Sequence, residues 1–348
     1  MSLSQELIEE IIDHLSDDRN ALISCSYASR IFYHRTRMHL FTSATFTECG
    51  SYHDLSKARL LAEMPLAASH IKWAQVDHCT TMSTLFLPAS SSLSSLVSLD
   101  LNYVRFSEPN DLHMAILSLP LLKELNIKLC YFEELESDIS ALPRSGPILE
   151  KLSILYPKAS MLLDPLMPLR SVYMDSLVQL SLQNPSLIAD LNQLIEYSHS
   201  TSKLKILMLA WIDHGAVYVN PPTRHLRMTT LEELNIGIIH QTFSMKHRIM
   251  EWLMESLLQS EPRHLRKLTL RIFVQHNTIF RSNGEMWAPW LRIDDALPMA
   301  RIDIIWVCKG YRDDSEGLDH VSREMVALTE RQFSAAHERG MLEVTVCT

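Results

Sequence analysis

One hexamer shape, Leu-x-x-Leu-x-Leu with Ile accepted for the later leucines, returns along the chain at near-constant spacing. It reads LVSLDL from residue 96, LKELNI from 122, LEKLSI from 149, LVQLSL from 177, LKILML from 204, LEELNI from 231 and LRKLTL from 265. The first five intervals are 26 to 28 residues and the last is 34. RIDIIWV from 301 is a weaker eighth copy, and LEVTV from 342 has the form of a ninth. A fixed period of this length limits the chain to folds built by stacking one supersecondary unit on the next.

Inside each hexamer the last two apolar residues alternate with polar ones, which is the period of a β-strand. Between hexamers run stretches of helical period, such as residues 186–200 and 245–260. In the second, Ile249, Leu253, Leu257 and Leu258 share one face. A strand and a helix in about 27 residues resemble the unit of leucine-rich repeats, which stack into a solenoid with a parallel concave sheet and outer helices. Three residues after the last leucine that family places Asn or Cys. Here the column reads Val104, Cys130, Pro157, Pro185, Ile212, Ile239 and Phe273, so the turns are expected to be irregular. Residues 213–230 and 275–298 are expected to be long interrupting loops.

Residues 1–45 carry no hexamer. Leu7, Ile8, Ile11, Ile12 and Leu15 form one apolar stripe on a short helix. Asp17 and Asp18 supply an N-cap for a second helix bearing Ala21, Leu22, Cys25 and Ala28, and a third segment closes at Phe41. Three helices in so short a span need something to pack against. The segment resembles the F-box, the adaptor-binding module of Skp–cullin–F-box ubiquitin ligases, whose pattern begins Leu-Pro-x-Glu-Leu and ends Val-Cys-Arg-x-Trp. Leu3, Ser4, Gln5, Glu6 and Leu7 stand at its start, then Ile11, Leu15 and Leu22, then ASRIF at 28–32, with Arg30 on the family arginine. Ser4 replaces the proline, Ala28-Ser29 the Val-Cys pair, and Phe32 the tryptophan. The wording resembles that of the large F-box sets of mushroom-forming fungi.

The expected fold is therefore α/β: a three-helix head over 1–45 and an irregular leucine-rich-repeat solenoid of about eight repeats over 46–348. The resemblance implies that Leu3, Leu7, Ile11, Leu15, Leu22 and Phe32 bury against a Skp-type adaptor, and through it a cullin, while the solenoid holds a target protein. The alternative is a leucine-rich-repeat interaction scaffold without a link to ubiquitination, its head capping the first repeat.

Residues between the leucines should face the target. They are mixed and mostly polar, with an apolar patch at Ile206 and Met208 and a basic pair at Lys267 and Arg271. A second column, two residues past the last leucine, holds Tyr103, Leu129, Tyr156, Asn184, Trp211, Ile238, Ile272 and Trp306. It either lines a rim with aromatic anchors or folds inward to fill space. Tyr103, Lys128, Tyr156, Met208, Trp211, Arg271 and Trp306 are the candidate target-binding residues.

Catalysis is not expected. Eight glycines supply no phosphate-cradling motif, and sixteen histidines form no HExxH pair. Six cysteines without a CxxC pair suit free thiols in a reducing compartment and no metal. A net charge of −9 with no strong basic cluster argues against nucleic acid. An acidic N-terminal stretch and the lack of any ~20-residue apolar run argue against export or a membrane span. No cofactor is implied, and the cytoplasm or nucleus is the expected location.

Overall fold

The computed structural model describes residues 4–47, 63–79, 92–132, 146–155, 176–183, 203–212, 224–240, 247–275, 297, 299–309 and 315–347. It is an α/β protein that divides into two compact units, Met1–Leu149 and Glu150–Thr348. Leu3, Tyr156, the helical stretch at 186–200 and most of both long loops lie outside the described residues.

The first unit opens with three helices, α1 (Gln5–His14), α2 (Arg19–Ala28) and α3 (Arg30–Leu40). Each start has its cap: Ser4 accepts from the Leu7 amide, Asp18 from the Ala21 amide and Ser29 from the Ile31 amide. Ile8, Ile12, Leu22 and Thr36 are buried among the helices. One ion-pair hub ties α1 to α3. Arg35 forks onto Asp13 with nitrogens 2.6 and 2.5 Å from the two carboxylate oxygens, and His39 Nε2 lies 2.7 Å from Oδ1. These partners, Arg35 before His39, hold the Asp13 carboxyl well below its ordinary value of 3.8.

Strand β1 (Ser43–Thr47) begins three residues after α3, inside the expected head. It pairs in parallel with β2 (Trp73–Asp77), then β3 (Ser98–Asn102), then β5 (Glu124–Lys128), without a register shift. In the second unit the parallel order runs β7 (Lys151–Leu155), β8 (Gln179–Gln183), β9 (Ile206–Ile212), β10 (Glu233–His240), β11 (Lys267–Gln275), β12 (Arg301–Lys309) and β13 (Leu342–Cys347). Among the described residues that makes eleven strands, every one following its predecessor in chain order. All nine hexamer copies become strands, the weak eighth and ninth included.

Two further strands precede them and were missed in the leucine count. Ile71, Ala74 and Val76 occupy the three apolar hexamer positions of β2 and are fully buried, so that copy is written with other apolar residues. Within each unit the hexamer leucines share one face: Leu99, Leu101, Leu125 and Ile127 are buried in the first, and Leu152, Ile154, Leu207, Leu209, Leu268 and Leu270 in the second. Helices cover that side. Pro109–Leu117 buries Leu112, Ala115 and Ile116, while His247–Ser260 buries Trp252, Leu253, Met254 and Leu257. Ser256 and Ser260 accept bonds from the Leu226 and Met228 amides, lacing the second helix to the segment before β10. Ser315–Gln332 follows β12 and buries Met325 and Thr329.

The strand ends differ between the units. In the first, His78, Tyr103 and Leu129 take left-handed backbone angles of φ 50°, 53° and 52° directly after β2, β3 and β5. Each turn swings the next residue inward, so Cys79, Val104 and Cys130 are buried. Cys130 Sγ donates toward the Leu101 and Lys128 carbonyls, and burial pushes its thiol up to about 12. Once the copy at 71 is counted, the Asn/Cys column holds Cys at two of these three turns. The chain then forms a small second sheet, β4 (Arg105–Phe106) beside β6 (Tyr131–Phe132). In the second unit β11 and β12 instead run straight for nine residues each.

Candidate functional site

Two surfaces come out of this arrangement. The first is on α1 and its neighbours. The single apolar stripe expected on α1 is split by the 3.6-residue period: Ile8 and Ile12 point into the head, while Leu7 and Ile11 remain 49% and 50% exposed. Leu15 and Phe32 are half-buried. Leu22, expected at the adaptor surface, is 1% exposed and belongs to the core of the head instead. Tyr27, Ile31 and Tyr33 are exposed large apolar residues that were not singled out in the sequence. Their signal was available: Tyr27 and Ile31 stand four apart across the Ser29 cap, and neither fits the stripe of its own helix. Arg37 lies 3.9 Å over the Tyr33 ring, which fixes that ring at the surface. On α3 the His34 ring lies edge-on to His70 in the turn before β2, with centroids 5.8 Å apart.

The second surface is the sheet face opposite the leucines. Apart from one shift between β9 and β10 the pairing is in register, so residues at one hexamer position form rows across the strands of each unit. In the first unit side chains tie the strands together: Asp100 accepts from Asn126 in its own row and from Trp73 Nε1, diagonally across on β2, at 3.2 Å. In the next, Asn102 donates to Asp77 at 2.9 Å. Tyr103 is 43% exposed and stacks on His78 with centroids 4.6 Å apart and planes 5° from parallel. Its amide bonds the carbonyl of Lys128, whose side chain is exposed. Those two candidates therefore sit on neighbouring strand ends.

In the second unit Asp303 is the electrostatic centre. It takes Lys267 at 2.9 Å and Arg301 at 2.8 Å, and Arg301 also pairs with Glu343. Burial acts to raise the Asp303 carboxyl, but the two cations outweigh it and the net direction is down. Lys267, counted as half of a basic pair, is thus already neutralised. Arg271 is exposed and has no ion-pair partner among the described residues. It shares a depression of about 40 Å³ with Met208, Ala210, Asn235, Gly237 and Phe273, so two of the candidate residues meet there. Trp211 lies in β9.

Trp306 corrects the expectation of an aromatic rim. It is 2% exposed and donates from Nε1 to the buried Thr329 Oγ1 at 3.1 Å. The cause is the straight run of β12, where unbroken alternation carries this column inward. Ile272 in β11 is buried for the same reason. The left-handed turn after β3 breaks that alternation and leaves Tyr103 outside.

Among the described residues no group of three His, Cys, Asp or Glu side chains is placed to hold a metal ion, and no helix is long and apolar enough to cross a membrane. The chain matches no known protein-family model and no curated protein.

Proposed function

We propose that the chain is the substrate-recognition subunit of a Skp–cullin–F-box ubiquitin ligase, with the head as the adaptor-binding module and the sheet as the leucine-rich-repeat surface that holds a target protein. The observation that carries this reading is the half-exposure of Leu7 and Ile11, on the helix that resembles the start of the F-box pattern. A head that served only to cover the first strands would turn its apolar stripe toward them. Instead α1 keeps two of its aliphatic side chains in solvent, with Tyr27, Ile31 and Tyr33 also exposed on the other two helices. Exposed apolar groups gathered on one small module are characteristic of a surface that is buried in a complex.

In this role the chain supplies no chemistry. It raises the effective concentration of a target lysine near a ubiquitin-charged enzyme held by other subunits, and its contribution to rate is proximity and orientation.

The scaffold reading has one observation in its favour: β1 follows α3 after two residues and pairs with β2, so the head runs directly into the sheet. Co-expression with a Skp-type adaptor, followed by size-exclusion chromatography, tests the ligase reading. A one-to-one complex that also retains a cullin supports it. A folded chain that elutes without the adaptor overturns it and leaves the scaffold.

A further inference from the structure

We infer that the depression beside Arg271 receives the C-terminal residue of a target polypeptide, the free carboxylate on the guanidinium and a short apolar side chain against Met208, Ala210 and Phe273. The inference rests on the reading that this sheet face holds a target, and it names the chemistry of that target.

The depression has a cause in sequence. Arg271 stands beside Gly237 on the neighbouring strand, and Ala210 lines the same depression from β9, so adjacent strands present two very small side chains there. Between them the pairing of β9 with β10 slips: Ile236 faces Leu209 but Ile238 faces Ile212, so β9 carries one extra residue there. A bulge re-aims side chains and opens the surface locally. Missing side chains and a bulge together make a hollow where the rest of the face has a continuous row.

Charge then selects the occupant. Lys267 and Arg301 are consumed by Asp303 and Glu343. In its own row Arg271 is flanked by Gly237 and Ile305, neither of which carries a charge. A guanidinium with uncharged neighbours and apolar walls attracts a carboxylate strongly, and its planar fork matches the two oxygens. Phosphate is a poorer fit, because its higher charge is normally met by several cations.

Size narrows the choice to a chain end. A volume of about 40 Å³ has room for roughly three or four heavy atoms, enough for a short apolar side chain, while the carboxylate stays outside it on the exposed Arg271 guanidinium. In an extended peptide an internal acidic residue points its charge one way and its neighbours' side chains the other. Only a terminal residue carries a carboxylate and an apolar side chain on the same Cα, so that the side chain fills the hollow while the carboxylate meets the guanidinium at its edge. Asn235, two residues before Gly237 on the same face, offers an amide to the last peptide group.

The test uses the full chain and fluorescein-labelled octapeptides of a Ser-Gly spacer ending in Ala, Val or Leu. Each is made as the free acid, as the C-terminal amide, and with an internal Glu before an amidated end. Fluorescence anisotropy should show the Ala or Val free acid binding, and at least tenfold weaker binding for its amide and for the internal-Glu peptide. Arg271→Gln and Gly237→Val should each weaken the free acid by at least tenfold, with unchanged thermal melting. Equal binding of acid and amide overturns the inference. So does indifference to both variants, or no binding of any free acid at about 1 mM. Adaptor co-purification of the same wild-type preparation reports separately on the head. Peptide failure with adaptor success therefore removes this inference alone, and the reverse removes the ligase reading alone.

Discussion

The sharpest expectation concerns the double variant Leu7→Asp, Ile11→Asp. Both side chains are about half exposed in the free chain, so folding has collected only half of their burial. Fully burying one Leu or Ile contributes about 1.5–3 kcal/mol, so the two remaining halves hold about that much in reserve for a partner, which is roughly a 10- to 150-fold change in affinity. Aspartate adds the cost of stripping water from two carboxylates with no cation provided, so the observed loss should sit at or beyond the upper end. Stability should move little, because neither position is buried. Ile12→Ala is the counterpart: at 1% exposure it removes core, and large-to-small changes of this kind cost about 2–5 kcal/mol. Isothermal titration with a Skp-type adaptor and thermal melting followed by circular dichroism separate the two effects. The double variant should melt with the wild type and fail to bind, whereas Ile12→Ala should melt early. If the double variant binds as the wild type does, or unfolds as Ile12→Ala does, the split of the stripe into an inner and an outer face is wrong.

Asp13 should make the head acid-sensitive. Its carboxyl is held below 3.8 by Arg35 and His39, so its contribution is present above that value and is lost as pH falls below it. Protection factors of α1 and α3 amides, taken relative to the intrinsic exchange rate at each pH, should fall on acidification below about pH 4, and Asp13→Asn should flatten that dependence while lowering protection at neutral pH. Trp306→Ala should destabilise the second unit by about 3–5 kcal/mol, seen as a lower melting temperature. Unlike Tyr103→Ala, it acts through folding and not through a lost surface contact. Among the described cysteines, Cys347 is exposed and should react first with a thiol reagent, while Cys79, Cys130 and Cys308 react only on unfolding. Leu129→Val should cost about 1–2 kcal/mol, because a β-branched side chain is poorly tolerated at φ 52°. Leu129→Gly should relieve that strain and recover part of what it loses in packing.

The strands were legible because their signal is repeated. Any one Leu-x-x-Leu-x-Leu is weak, but seven of them, the first six 26 to 28 residues apart, point to both the element type and the parallel order. Where the leucines gave way to Ile71, Ala74 and Val76 the same geometry persisted with a different alphabet, and a count of leucines passed over it. Three helices in the head were legible from caps and period. Which half of the α1 stripe turns outward was not, because Leu7 and Ile8 are equally apolar and only the tertiary burial of Ile8 and Ile12 distinguishes them. Nor could the pairing of Lys267 with Asp303 be read, since it joins positions 36 residues apart through the register of β11 on β12. That pairing is what singles out Arg271 from the basic pair.

The fate of the column two residues past the last leucine shows how little sequence separates a surface residue from a core one. Tyr103 and Trp306 occupy the same place relative to their hexamers, yet one stands in solvent and the other is buried against Thr329. What differs is the residues around them. After β3 the chain reads Asn-Tyr-Val, and Asn102 spends its side chain on Asp77 as the strand stops. In β12 the run Ile-Ile-Trp-Val-Cys is apolar and rich in β-branched side chains, and these favour continued extension. Continued alternation turns Trp306 inward, whereas one left-handed residue leaves Tyr103 outward. A short polar stop is therefore the device that converts a packing position into a binding position. Replacing Tyr103-Val104 with Ile-Ile should extend β3, cost the His78 stacking contact and draw the column inward. A hydrogen-exchange map that shows residues 103–105 newly protected would bear this out, and unchanged protection there would mean that the turn is set by the inward pull of position 104 and not by strand propensity.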